Sequence, residues 1–320
     1  VDHGYWGNWP LNYPEMPLTE DFVKGVAARA ETAVVVLGRA AGEDRDCLLQ
    51  EGSYYLKAEE RNMLALAKKY FKKLVVLLNI GNIIDFSWVD EFSPNAVLLL
   101  WQGGMETGNA CAKLLSGAVS PSGKLSMTIA KRYEDYPASN FGDASHTDYT
   151  EDIYVGYRYF ETFAKEKVRY PFGYGLSYTA FSVDPSLTYA QQGAEICVKI
   201  KNTGNCAGRC VVEAYVQKPF GKDGNPKREL VGFYKTGLLP AGGEEEAVIP
   251  VPVYRVTTYD EETSSEVLLG GEYVFFAGED VRSAKEAGRV TTEGRALRHL
   301  AERGAPRMPF PVFRAEDKGG

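Results

Sequence analysis

The stretch Ala33–Leu56, AVVVLGRAAGEDRDCLLQEGSYYL, decides how the first part of the chain is read. It opens with a continuous apolar, β-branched run, Ala33–Leu37. Such a run predicts a strand covered on both faces, as in a parallel sheet. It then breaks into Gly42-Glu43-Asp44-Arg45-Asp46, with four charges in succession. A buried strand that ends in charges either delivers them to a site or turns at the surface. The second reading needs only an internal Arg–carboxylate pair, which stabilises little.

The flanking sequence extends the first reading. In LKAEERNMLALAKKYFKK the apolar residues Met63, Leu64, Ala67, Tyr70 and Phe71 fall at helical spacing. Leu74–Leu78 reads as a second buried strand and Ala96–Trp101 as a third. The third is followed by QGGMETGNACAKLL, a glycine turn opening a helix. Strand and helix alternating at this spacing predict an α/β domain, a mostly parallel sheet sandwiched by helices. In such sheets ligands sit beyond the carboxyl ends of the strands, which is where the charged cluster falls.

From about residue 185 the pattern changes. AEICVKIKN alternates strictly, with Ile196, Val198 and Ile200 on one face. CVVEAYVQK, ELVGFYKT, EEEAVIPVPV and GEYVFFAGE follow as short strands divided by Gly, Pro and Asn. This predicts an all-β, immunoglobulin-like sandwich of about 100 residues. The polar run from Thr291, ending in GAPRMPFPVF, reads as a linker or arm. The expected division is residues 1–184, 185–290 and 291–320.

Composition narrows the function. The 320 residues carry a net charge of -7 and no basic patch, so neither nucleic acid nor an anionic membrane is an expected partner. No apolar run approaches the ~20 residues of a membrane span, and no leader pattern opens the chain. The five cysteines (47, 111, 197, 206 and 210) form no CxxC motif. A reduced, cytoplasmic setting is therefore expected, with a local Cys206–Cys210 bridge as the alternative. His3, His146 and His299 are scattered and suggest no metal site. Neither GxGxxG, GK[ST], GxSxG nor HExxH occurs, which removes the common dinucleotide, P-loop, hydrolase-elbow and zincin signatures.

Three stretches remain as candidates. Glu43 has the chemistry of a general acid/base, with Asp44, Arg45 and Asp46 holding its loop. The Gly103-Gly104 turn lets backbone pass close to a neighbour or ligand, or simply joins strand to helix. EDIYVGYRYFETF and RYPFGYGLSYTAF are densely aromatic, with Tyr154, Tyr157, Tyr159, Tyr170, Tyr174 and Tyr178. Aromatic walls suit sugar rings; a packed, glycine-hinged joint between domains is the other reading.

Together these segments resemble glycoside hydrolase family 3, the β-glucosidase family, from about Pro14 to about Gly278. SPSGKL, GYRYF and YPFGYGLSYTAF resemble the family in wording and order. NTGNCAGRCVVEAYV, RELVGF and GGEYVFFAG resemble the fibronectin type III-like domain that follows in many members. The resemblance implies an enzyme pairing a (β/α)8-like barrel, which bears an Asp nucleophile, with a sandwich domain that lends the acid/base Glu. The family pattern S-G-E-G-x-D-R is similar to Ala41-Gly42-Glu43-Asp44-Arg45, with a residue or two fewer between Glu and Arg. Glu43 then matches the acid/base, Asp44 and Arg45 match substrate-binding positions less closely, and Glu51 is the nearest alternative donor.

No barrel, nucleophile segment or opening sandwich strands are found, so the chain is expected to be a piece of a reversed-order enzyme, inactive by itself. The expected substrate is a β-linked oligosaccharide or an aryl or alkyl glucoside, hydrolysed with retention. The expected partner is the missing barrel, Tyr154 and Tyr157 would lie on the aglycone side, and no cofactor or metal is implied. A homo-oligomer is left open. The alternatives are a β-xylosidase or α-arabinosidase of the same family, and a non-catalytic carbohydrate-binding or interaction module.

Overall fold

The computed structural model describes residues 13–41, 47–137, 149–190, 193–221, 224–301, 308 and 312. They divide between two compact units, Val1–Ser116 and Gly117–Gly320.

The first unit alternates helix and strand: α1 (Glu20–Ala27), β1 (Thr32–Arg39), α2 (Ala58–Tyr70), β2 (Lys73–Ile80), α3 (Trp88–Phe92), β3 (Ala96–Leu99) and α4 (Thr107–Leu115). The strands form a parallel sheet in the order β1-β2-β3, with Val35 opposite Val76 and Leu77 opposite Leu98. Both α1 and α2 begin at caps. Thr19 Oγ1 accepts from Phe22 N at 3.3 Å, and the Glu60 carboxylate accepts from Lys57 N at 2.8 Å. Leu64 and Ala67 of α2 are buried, as are Val35, Leu37, Leu74, Val76, Leu78, Ile80 and Trp88. Each such Val or Leu contributes about 1.5–3 kcal/mol relative to exposure.

One expectation is corrected here. The run Ala33–Leu37 is not covered on both faces among the described residues: Val35 and Leu37 are buried, whereas Val34 and Val36 are 48% and 51% exposed. Among the described residues the strand lies at the sheet edge, and its burial alternates even though its sequence is apolar throughout.

The second unit opens with β4 (Ile129–Ala130), α5 (Tyr157–Phe163) and β5 (Val168–Tyr170), β4 pairing antiparallel with β5. The sandwich follows: β6 (Phe181–Ala190), β7 (Gly193–Asn202), β8 (Val211–Gln217), β9 (Glu229–Lys235) and β10 (Glu244–Pro252). Then come β11 (Thr258–Asp260), β12 (Ser265–Leu268), β13 (Gly271–Gly278), β14 (Lys285–Thr292) and β15 (Arg295–His299). All its pairings are antiparallel, in sheets ordered β10-β7-β6, β14-β13-β8-β9 and β11-β12-β15. The core joins the first two sheets, with Ile196, Val198 and Ile200 of β7 meeting Val212, Ala214 and Val216 of β8 and Phe275 of β13. β7 shows the alternation its sequence predicts, with Glu195, Lys199 and Lys201 outward.

The polar run after Thr291, read as an arm, contains β15, which pairs with β12. All five of its residues are exposed, so no hydrophobic alternation marks it in the sequence. All five cysteines are free thiols, and the local bridge weighed for Cys206 and Cys210 is not made. Among the described residues no helix is long and apolar enough to cross a membrane.

Candidate active site

The carboxyl ends of β1, β2 and β3 lie side by side and end at Arg39, Ile80 and Leu99. The Arg39 guanidinium is buried and forms a two-pronged pair with Glu60, Nη1 to Oε1 at 2.5 Å and Nη2 to Oε2 at 2.7 Å. Its remaining donors go to carbonyls: Nε to Ser53 at 3.1 Å, Nη1 to Gly38 at 2.8 Å and Nη2 to Tyr55 at 3.4 Å. Both charges are thus compensated by fork-to-fork geometry, the condition under which a buried ion pair is tolerated. The pair locks the end of β1 to the start of α2 and to the intervening loop. That loop is further closed by Leu48 N donating to Ser53 Oγ at 2.9 Å and Asp85 N donating to the Tyr54 carbonyl at 2.8 Å.

A second tie crosses the strand ends. Gln102 Nε2 donates to the Ala41 carbonyl at 3.1 Å, reaching from beyond β3 to beyond β1. Between them lies Gly81, just past β2. A Cβ there would overlap Ala41 Cβ and stand 2.9 Å from Gln102 Cδ. Trp101 precedes the glutamine with φ +53, a left-handed backbone uncommon for an aromatic residue. Such strain, about 1–3 kcal/mol, gathers at functional sites. After Gly103, where a Cβ would overlap Thr107 Oγ1, that hydroxyl donates to the Gly104 carbonyl at 2.7 Å. This local bond closes the strand-to-helix turn.

Glu43, Asp44 and Arg45, with Gly42 and Asp46, lie outside the described residues. The chain enters this stretch at Ala41, held by Gln102, and leaves it at Cys47, whose Sγ lies 3.7 Å from Ser53 Oγ. The alternative donor, Glu51, sits exposed in the turn that bridges Glu51 to Tyr55. Sequence reasoning missed Arg39, Glu60, Gly81 and Gln102. The one signal for the pair was a charge at the end of an otherwise apolar strand.

Tyr154 and Tyr157 belong to the second unit. Tyr154 is 1% exposed, with its ring edge-on to Phe163 at 5.0 Å. The Tyr157 ring packs on Phe172 at 4.6 Å and edge-on to Tyr215 at 6.1 Å, and its hydroxyl accepts from Leu230 N at 2.8 Å. Burial raises the pKa of both phenols. The same helix is tied to the sandwich by Thr162 Oγ1, which accepts from Lys227 N at 3.0 Å, and by Glu161, which pairs with Arg282 at 2.9 Å.

The other hallmark segments knit together beside it. Leu125 N donates to the Tyr174 carbonyl at 2.9 Å, Gly173 N to the Leu125 carbonyl at 2.8 Å, and Lys124 Nζ to the Gly175 carbonyl at 3.1 Å. Gly173, at φ +81, leaves the space that the Glu213 carboxylate fills. Burial pushes Glu213 up to about 7, although the Tyr215 hydroxyl donates to it and Lys124 is near.

A three-stranded parallel α/β unit with a tied set of strand ends, followed by an antiparallel sandwich, defines an α/β domain coupled to an immunoglobulin-like module. Residues 18–178 match the glycosyl hydrolase family 3 C-terminal domain, and residues 210–281 match the fibronectin type III-like domain. The chain belongs to glycosyl hydrolase family 3.

It is 44% identical over 312 residues to a β-glucosidase of Ruminococcus albus, an alignment covering 95% of this chain and 33% of that protein. It is 37% identical over 318 residues to β-glucosidase A of Butyrivibrio fibrisolvens, covering 85% and 38%. The solved β-glucosidase of Paenibacillus barengoltzii superposes with a TM-score of 0.90 at 40% identity, over 96% of this chain and 35% of that one. The chain therefore spans about a third of the length of these relatives.

Proposed function

We propose that this chain is the proton-donating portion of a retaining, exo-acting β-glucosidase. Its substrates are terminal β-D-glucosides, either β-linked oligosaccharides or aryl and alkyl glucosides. The observation that carries the reading is a near full-length match to a β-glucosidase of which the chain spans only 33%. In this reading the remainder of the enzyme supplies a barrel with an Asp nucleophile.

The chemistry then divides between two carboxyl groups. The barrel Asp attacks the anomeric carbon and forms a glycosyl-enzyme. Glu43 protonates the departing glycosidic oxygen, then takes the proton from the water that hydrolyses the intermediate. Retention requires the two carboxyl groups to be about 5–5.5 Å apart. Support for Glu43 is its match to the family pattern and its place two residues beyond Ala41, past the carboxyl end of β1. Asp44 and Arg45 follow it in the chain, and their charges tune the donor or meet the sugar. Tyr154, buried, and Tyr157, half-buried, serve the aglycone side by holding the segments around them.

The test is hydrolysis of p-nitrophenyl β-glucoside by this chain alone, by the chain supplied with the barrel, and by the Glu43→Gln variant of that combination. The reading expects no turnover from the chain alone, activity with the barrel, and its loss in Glu43→Gln. Robust turnover by the isolated chain would mean that the nucleophile lies within these 320 residues.

A further inference from the structure

Building on the assignment of Glu43 as proton donor, we infer that Gln102 is a positioning residue for that donor, and that Gly81 is a glycine so that Gln102 can act. Adjacent strands of a sheet lie about 4.8 Å apart, so spanning from β3 to β1 across β2 means covering about 10 Å. Backbone cannot make that bridge at the strand ends; a long side chain with a hydrogen-bond donor at its tip can. Gln102 is such a side chain, and its Nε2 meets the Ala41 carbonyl at 3.1 Å.

Three features converge on this one bond. The path of the side chain runs over Gly81, where a Cβ would overlap Ala41 Cβ and crowd the Gln102 amide at 2.9–3.0 Å. The left-handed backbone at Trp101, φ +53, sits immediately before the glutamine, where the chain turns out of β3. The Arg39–Glu60 pair holds the same end of β1. Gln102 is exposed and its amide could bond to water; it is instead committed to the last described residue before Glu43. A carboxylic acid that must meet a leaving oxygen within hydrogen-bond reach depends on where its chain departs from the sheet. The strap fixes that point.

The test is made in the active enzyme containing this chain, by comparing kcat/KM for an alkyl β-glucoside with that for 2,4-dinitrophenyl β-glucoside. The alkyl leaving group needs protonation and the dinitrophenolate does not. Gln102→Ala removes the donor, Gln102→Asn shortens the reach, and Gln102→Glu keeps the length without the donor. Each is expected to lower the alkyl value by about tenfold or more and the dinitrophenyl value by less than about twofold. Gly81→Ala keeps the amide but blocks its path, and is expected to give the same split.

Glu43→Gln is the reference, with a larger split of about 10²–10⁴. If Glu43→Gln splits the two substrates while the Gln102 and Gly81 variants lose activity on both equally, or on neither, the positioning role is overturned and the donor assignment stands. If Glu43→Gln itself shows no split, the donor assignment falls and takes the positioning role with it. Thermal unfolding of each variant separates loss of fold from loss of alignment. An unchanged melting temperature with a split supports the strap.

Discussion

Glu213 shows how one buried carboxyl ties solvent pH to the second unit. Its side chain lies in the space left by Gly173 and accepts the Tyr215 hydroxyl, with Lys124 and Asp280 as the nearby charges. Burial is the largest influence and raises its pKa from 4.5 to about 7. Between those values the folded state holds the proton more tightly than the unfolded chain. Stability therefore falls as pH rises from about 4.5 to about 7, by about 3 kcal/mol in all, and is level above that range. The Glu213→Gln variant should lack this slope and outlast the parent at pH 8, read from urea unfolding at a series of pH values. Parallel pH profiles for the two proteins would contradict the account. At the same scale, Arg39 and Glu60 were invisible as partners in the sequence. They are 21 residues apart, and only the parallel crossover brings them together.

At the scale of elements, the sequence was most legible where burial follows one clean period. The alternation of AEICVKIKN appears as β7, with Ile196, Val198 and Ile200 in the core. The helical spacing around Leu64 and Ala67 appears as α2. Legibility failed where position in the sheet overrides composition. β1 reads as doubly buried, yet among the described residues it lies at the sheet edge with Val34 and Val36 half exposed, and β15 is a strand with every residue in solvent. The aromatic segments could be read two ways because aromatic side chains serve both sugar faces and packed joints. In the folded chain, Tyr157 and Thr162 of α5 receive backbone N–H groups at Leu230 and Lys227, beside β9. Tyr157→Phe should leave the Leu230 N–H without its acceptor and destabilise the second unit by about 1–3 kcal/mol, measured by denaturant unfolding. A change within error would mean that water replaces the hydroxyl. The candidate donor was legible only through resemblance, because a charged turn by itself does not distinguish a site from a surface.

At the scale of the whole molecule, the chain is a family 3 α/β domain with its fibronectin type III-like companion, spanning 33% of its Ruminococcus albus relative. A strand that ends in a charged cluster makes chemical sense if its loop serves an active site completed elsewhere in the enzyme. The central claim is that Glu43 is the acid/base of a retaining reaction. It is tested most directly with Glu43→Ala in the active enzyme, given an aryl β-glucoside and sodium azide. Without the general base the glycosyl-enzyme should accumulate, and azide, which needs no base, should restore turnover and yield β-glucosyl azide. Recovery of β-glucosyl azide is the predicted result. Undiminished hydrolysis by Glu43→Ala, with no azide product, would contradict the claim.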